Sequence, residues 1–336
     1  GLELGIYDNP LWVHMNAVNE GAMVKGTNIP LSSIIDPNEE SLWFTWVQVN
    51  REGAEEYVKG NIEHYAKMGV TFLRVDFLSW FEDGFDKNLG DTGHKRPRED
   101  YLKALRWMKE ACDEHGILLS LVMPSLTNEA EAEKEFGHMF RINEDTYSGG
   151  WDRFNNDSRG QRRDYWSQWA NAFDGYTYWS YLSGRGKVIL DGDFIRLNTF
   201  VTDDEKKSVI SLHLMAGGPL AVSDQVNTVG DNLKYYQNRE ILALNEDGFV
   251  GKPITNDPTD IRSQIWYGEL TNGEWIVALF NREDEAELRQ VNFSELTGNE
   301  VPAEVRDLWK AVNLGSMANY EEYIPPHGVT VLSLSY

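Results

Sequence analysis

The stretch Thr71-Phe72-Leu73-Arg74-Val75-Asp76-Phe77-Leu78-Ser79-Trp80 constrains the fold most. Its first half is β-branched and apolar on both faces and follows Met68-Gly69, the pattern of a strand buried in a parallel sheet. The strand closes on a carboxylate, Asp76. In a barrel of alternating strands and helices, a charged residue at that position lies on the catalytic face, where the strand-to-helix loops gather. An Asp closing a strand is also a common cap for the helix that follows, and the stretch alone leaves both readings open.

The same unit recurs along the chain. A helix expected over about 51–68 feeds the Asp76 strand, and a second over about 99–115, stopped by Gly116, feeds an uninterrupted apolar strand over 117–123. A short acidic helix over about 128–136 leads to Met139-Phe140-Arg141-Ile142-Asn143-Glu144-Asp145, again a strand ending in a carboxylate. A helix over about 159–173 and an aromatic stretch precede a strand over 187–190 that ends in Asp191-Gly192-Asp193. A helix over about 203–215 then runs into a last barrel-type strand within 217–224. This alternation specifies a parallel sheet with right-handed crossovers. After about residue 237 the rhythm changes to short strands, such as 264–267, 275–280, 288–291 and 330–334, separated by turn signals such as Thr271-Asn272-Gly273. That pattern is an antiparallel sandwich. The expected organisation is a barrel over 1–243 and a β-sandwich over 244–336. Residues 11–50, with Trp12, His14, Trp43 and Trp46, are too long for a plain loop and are expected to form a binding rim.

Composition narrows the ligand. Thirty-one basic against 54 acidic residues give a formal net charge of −23, which argues against nucleic acid and against anionic membrane surfaces. A neutral or cationic ligand fits better. No Cys/His spacing suggests a metal, no apolar run is long enough to span a bilayer, and the single Cys112 excludes an internal disulfide while leaving the compartment open. Twelve tryptophans and fifteen tyrosines could stack on sugars, but most Trp is core or interface filler, the reading taken for Trp266, Trp275 and Trp309.

Two carboxylates at the ends of different parallel strands meet the requirement of retaining glycoside hydrolysis: one ionised to attack the anomeric carbon, one protonated to donate to the leaving oxygen. Asp76 suits the nucleophile, because Arg74, two residues earlier on the same strand face, favours its ionised form. Asp145 suits the acid/base. For Arg141 a purely structural role as a salt-bridge partner is the lesser reading. A binding protein on a degenerate barrel would not need both carboxylates, and a lyase or isomerase would want a Lys or His base, which closes no barrel strand here.

The spacing Arg141-x-x-x-Asp145 followed by Trp151, the Leu73-Arg74-Val75-Asp76 strand, the opening Gly1-Leu2-Glu3-Leu4-Gly5-Ile6-Tyr7 and the segment Met215-Ala216-Gly217-Gly218-Pro219-Leu220 together resemble the α-galactosidases of glycoside hydrolase family 27. The likeness continues through Asn238-Arg239-Glu240-Ile241-Leu242-Ala243-Leu244-Asn245, Val305-Arg306-Asp307-Leu308-Trp309 and Pro325-Pro326-His327-Gly328. The resemblance implies a (β/α)8 TIM barrel followed by an antiparallel β-sandwich, double displacement with retention, no cofactor and no metal. It places Asp76 on the family's nucleophile and Asp145 on its acid/base. Arg141, Asp191 and Asp193 match residues that contact the sugar or hold the acid/base, and Tyr7 an aromatic beside the sugar. Arg74, Trp80 and Trp151 complete the expected substrate-binding set. The implied substrate is an oligosaccharide or polysaccharide with α-galactose as the default terminal sugar.

The chain departs from the family pattern at Arg74, where members usually carry Lys, at Leu78, where a Cys is usual, and at Ile189-Leu190-Asp191-Gly192-Asp193, usually Trp-Asn-Asp-Pro-Asp. A planar guanidinium bridges different hydroxyls than an ammonium does, so α-N-acetylgalactosaminide, β-L-arabinopyranoside and α-1,6-glucan stay open beside α-galactoside. Aligned to the family, residues 1–7 are the third barrel strand, and six barrel strands are expected here, beginning at residues 3, 71, 117, 139, 187 and 219. An open six-strand remnant would expose two apolar edges, so a second chain or a missing N-terminal segment is expected to complete the barrel.

Overall fold

A computed structural model describes residues 1–36, 43–86, 91–92, 95–146 and 148–336. By their contacts these residues form two units, Gly1–Arg141 and Ile142–Tyr336. Among the described residues no helix is long and apolar enough to cross a membrane.

The first unit opens with β1 (Leu4–Tyr7), then an antiparallel pair, β2 (Trp12–His14) and β3 (Phe44–Trp46), with α1 (Met15–Asn19) after β2. There follow α2 (Ala54–Lys67), β4 (Val70–Val75), α3 (Leu78–Asp83), the two-residue pair β5 (Phe85–Asp86) and β6 (Asp91–Thr92), α4 (Arg98–His115), β7 (Leu118–Leu121), α5 (Thr127–Phe136) and β8 (Met139–Arg141). The parallel sheet runs β1-β4-β7-β8, sequence order carried into space by helical crossovers, which is the repeat of a (β/α) barrel. Leu73, Val75, Leu119, Leu121 and Phe140 are fully buried on these strands. The helix α4 buries Tyr101, Ala104, Leu105, Met108, Ala111 and Cys112, a stripe at three- and four-residue spacing, and stops at Gly116, whose φ of +67° L residues rarely adopt. Two expectations change. The strand drawn to Asp145 ends at Arg141, and the acidic helix of 128–136 is right-handed only in its second half, because Asn128, Glu129 and Ala130 hold φ of 51°, 55° and 53°.

The second unit contains α6 (Ala172–Trp179), β9 (Ile189–Asp191), β10 (Phe194–Ile195), α7 (Asp203–Met215), β11 (Ala221–Val222) and α8 (Arg239–Glu246). A capping box between Thr202 and Glu205 starts α7. The last barrel-type strand shrinks to β11, which pairs in parallel with β10. The helix expected over 159–173 does not form: residues 159–171 are turns and bends, and α6 begins at Ala172. The cause is tertiary. Asn171 caps α6 by accepting from the Asp174 N–H at 2.8 Å, the Asp174 carboxylate takes the Gly160 N–H at 2.6 Å, and its other oxygen pairs with the fully buried Arg282 at 2.8 Å. Asn171 thus starts a new helix at Ala172, and Asp174 ties the segment before it to Arg282.

The C-terminal part of this unit is a β-sandwich: β12 (Lys252–Pro253), β13 (Ile265–Glu269), β14 (Trp275–Phe280), β15 (Glu287–Asn292), α9 (Phe293–Thr297), β16 (Ala303–Asp307), β17 (Val312–Met317), β18 (Asn319–Ile324) and β19 (Val329–Ser335). One sheet runs β12-β13-β14-β19-β16-β17 and the other pairs β15 with β18, all antiparallel. Val277, Leu279, Val305, Leu332 and Leu334 from the first sheet meet Val291 and Ile324 from the second in one buried cluster.

Candidate active site

In the first unit β4 delivers Asp76 at its C-terminal end. Phe77 takes a left-handed φ of +63° and turns the chain into α3, whose N-cap is Phe77 with no side-chain cap, so Asp76 is not the cap of that helix. Its carboxylate is instead held from two sides. The Tyr7 hydroxyl donates to Oδ2 at 2.7 Å and the Phe77 N–H to Oδ1 at 2.6 Å, while the Asn9 side chain donates to the Asp76 carbonyl at 2.6 Å. Tyr7 stands opposite Arg74 in the β1–β4 register, and Arg74 is buried. Arg141 closes β8 and is 2% exposed. From the rim expected over 11–50, of which 37–42 lie outside the described residues, Trp12 packs on the same turn: it stacks on Phe44 at 4.3 Å and on Phe77 at 5.7 Å, and the half-buried Trp80 lies 4.8 Å from Phe77. Aromatic side chains therefore clamp the residue next to Asp76.

In the second unit Asp145 is exposed between Glu144 and Thr146. The Thr146 N–H donates to Asp193 Oδ2 at 2.8 Å, and the Thr146 hydroxyl donates to the Phe194 carbonyl at 2.7 Å. Asp193 is 1% exposed with φ of +74°, and its own N–H donates to Asp191 Oδ1 at 2.8 Å. The two aspartates thus form a buried turn that fixes the residue following Asp145. Tyr176 explains the glycine between them: its hydroxyl accepts the Gly192 N–H at 2.9 Å, and a Cβ at Gly192 would lie 2.3 Å from its ring. Behind Tyr176, at 5.1 Å, burial holds the imidazole of His213 below its ordinary pKa, so it packs as a neutral ring whose Nδ1–H donates to the Val209 carbonyl at 2.8 Å. Trp151 is buried, its ring stacked on His327 at 4.4 Å and 5.3 Å from Phe154.

Tyr7, Arg74, Asp76, Trp80 and Arg141 thus belong to the first unit, and Asp145, Trp151, Asp191 and Asp193 to the second. Sequence reading missed Asn9, Thr146 and Tyr176. Asn9 reads as part of the Asp8-Asn9-Pro10 turn, and only Thr146 carried a usable signal, as a hydroxyl directly after the acid/base candidate. Among the described residues no group of three or more His, Cys, Asp and Glu side chains could hold a metal ion.

Residues 260–334 match the model of the α-galactosidase C-terminal β-sandwich domain. The chain is 38% identical to the isomalto-dextranase of Arthrobacter globiformis over 99% of its own length and 54% of that enzyme's. It is 26% identical to an α-galactosidase of Oryza sativa subsp. japonica, over 82% of the chain and 59% of the relative. Among solved structures, the Arthrobacter globiformis T6 isomalto-dextranase complexed with panose superposes with a TM-score of 0.92 over 99% of this chain and 58% of that one, at 38% identity. The family 27 β-L-arabinopyranosidase of Geobacillus stearothermophilus gives 0.75 at 22% identity, over 100% of this chain and 74% of that one. The chain therefore spans a little over half the length of the relatives it matches in sequence. With its strand-end carboxylate, its buried Asp191-Gly192-Asp193 turn and its C-terminal sandwich, the chain belongs to glycoside hydrolase family 27, the fold of which is a (β/α)8 barrel followed by an antiparallel β-sandwich.

Proposed function

We propose that this chain carries both catalytic carboxylates of a retaining glycoside hydrolase acting on α-1,6-linked glucan. The observation that supports a nucleophile is Asp76, at the end of β4 with one oxygen on Tyr7 and the other on a backbone N–H. Its carboxylate attacks the anomeric carbon as the glycosidic C–O bond breaks, and Asp145 gives its proton to the departing oxygen. Asp145 then takes a proton from water, whose oxygen displaces Asp76 and releases the sugar. Asp191 and Asp193 hold the acid/base loop through Thr146, and Tyr7, Arg74, Trp80, Arg141 and Trp151 form the substrate-binding set. The 38% identity to an isomalto-dextranase favours glucan over the α-galactoside that the family resemblance made the default.

The division into a barrel over 1–243 and a sandwich over 244–336 belongs to the same reading. So does completion of the barrel by a second chain or a further segment: Leu2, Leu4 and Tyr7 on and beside β1 are 104%, 46% and 54% exposed, as an edge awaiting a neighbour would be.

The test is hydrolysis by the full-length protein of dextran, aryl α-D-galactoside, aryl α-N-acetylgalactosaminide and aryl β-L-arabinopyranoside, with Asp76→Ala alongside. Dextran alone is expected to be cleaved, with the variant inert. Cleavage of the galactoside instead returns the default sugar, and an inert wild type leaves a carbohydrate-binding barrel.

A further inference from the structure

The segment that refused to form the expected helix builds a surface feature next to the acid/base. The Arg163 N–H donates to the Gln168 carbonyl at 2.9 Å and closes a six-residue loop with Asp164, Tyr165, Trp166 and Ser167 at its tip. Both ends of the loop meet Glu144, the residue before Asp145. The Arg163 guanidinium pairs with the Glu144 carboxylate, and the Glu144 N–H donates to the Trp169 carbonyl at 3.2 Å. Arg153 adds a second cation, 3.7 Å from the same carboxylate and 3.1 Å from Asp157. The loop is therefore braced, and its position is tied to that of Asp145.

An open cavity of about 620 Å3 lies on this loop, lined by Arg162, Arg163, Asp164, Tyr165 and Gln168. Tyr165 is 60% exposed, and the Arg163 guanidinium sits 5.6 Å from its ring centre, which orients the ring without covering it. The cavity is not built for an anion. Arg162 donates to the Gln168 side chain at 2.7 Å and lies 4.3 Å over the Tyr178 ring, and Arg163 is bound to Glu144. What it offers is an aromatic face flanked by a carboxylate and an amide, the lining that suits a neutral sugar: apolar C–H face on the ring, hydroxyls on the polar groups.

Resting on Asp145 as the acid/base, we propose that Tyr165 is a stacking platform for the leaving-group side of a glucan chain. The acid/base touches the glycosidic oxygen, so the departing sugar lies beside Asp145. A six-residue loop, three residues out and three back, reaches no more than about 10 Å from its base, enough for the first units of the departing chain. Tyr165 does not touch the reacting atoms; it is a positioning residue that favours polymer over short substrate.

Isomaltosyl fluoride separates this proposal from the function beneath it, because its leaving group is a single atom with nothing to place on the loop. In the full-length protein Tyr165→Ala is expected to raise KM for dextran about tenfold with kcat unchanged, the loss of one aromatic contact. Turnover of isomaltosyl fluoride is expected to stay at the wild-type rate, and Tyr165→Phe to behave as wild type on both. A wild-type KM for dextran in Tyr165→Ala overturns the platform and leaves the hydrolase standing. Equal loss on dextran and fluoride also overturns it, since the residue would then serve the loop's fold or the chemistry. A wild-type protein inert on dextran and isomaltosyl fluoride removes the function and the platform with it.

Discussion

Tyr176 ties two glycines to one role. Its ring and hydroxyl occupy the space where Gly192 and Gly218 would carry a Cβ, at 2.3 Å and 2.2 Å, and the ring is fully buried. A phenol caught between two backbone segments cannot step aside, so the glycine at 192 is dictated by packing and not by backbone angle. Gly192→Ala is expected to destabilise the protein by about 1–3 kcal/mol, the usual cost of overfilling a packed interior. It should also lower kcat, because the displaced turn carries Asp193 and through it Thr146. The penalty should shrink in a Tyr176→Leu background, where the colliding ring atoms are gone, and a double-mutant cycle in thermal unfolding measures the coupling. Additive effects would mean that the alanine is accommodated elsewhere.

At the level of elements, legibility followed the range of the forces involved. The apolar pattern of α4 with its Gly116 stop, and the helix expected over about 203–215, rest on local patterns, and α4 and α7 formed where those patterns lie. The Asp76 strand was equally legible, since burial on both faces leaves an unbroken apolar run. The segment 159–171 was not, because its conformation is set by Asp174 and by Arg282, more than a hundred residues away. The roles of Asn9 and Tyr176 were hidden for the same reason: their partners, the Asp76 carbonyl and the Gly192 N–H, lie 67 and 16 residues away along the chain. The start of α5 is a further case. Leu126, Asn128, Glu129 and Ala130 all hold positive φ, and the turn is anchored by Glu133, whose Oε1 accepts from the Tyr101 hydroxyl at 2.7 Å and from the Leu126 N–H at 3.3 Å. Burial raises the Glu133 pKa above its ordinary value, against the lowering by those hydrogen bonds, and Oε2 has no partner among the described residues. A carboxyl whose pKa rises on folding contributes most below its unfolded value of about 4.5, and that contribution is lost as pH rises through the folded value. Glu133→Gln keeps the accepting oxygen and cannot ionise. The variant should match wild type in thermal stability near pH 4 and exceed it increasingly toward pH 7, by about 1.4 kcal/mol for each tenfold gain in proton affinity that folding gives the carboxyl. A gap that is constant with pH would show that the carboxyl is not the titrating group.

For the molecule as a whole, the decisive fact is that the two carboxylates assigned to one reaction come from different compact units, Asp76 from Gly1–Arg141 and Asp145 from Ile142–Tyr336. In the proposed mechanism each unit then supplies one of the two carboxylates of a double displacement, and removing either leaves a different part of the chemistry. Isomaltosyl fluoride, which needs no proton to lose its leaving group, exposes that division when azide is supplied as an outside nucleophile. In Asp145→Ala the first displacement by Asp76 survives, and azide attacks the covalent intermediate from the opposite face; two inversions give the α-azide. In Asp76→Gly no intermediate forms, and azide enters where the carboxylate stood; one inversion gives the β-azide. The anomeric proton coupling of each product in NMR reads the outcome directly. Exchange of the two products would reverse the roles of Asp76 and Asp145. The same azide from both variants would remove one carboxylate from the reaction and with it the assignment of one catalytic group to each unit.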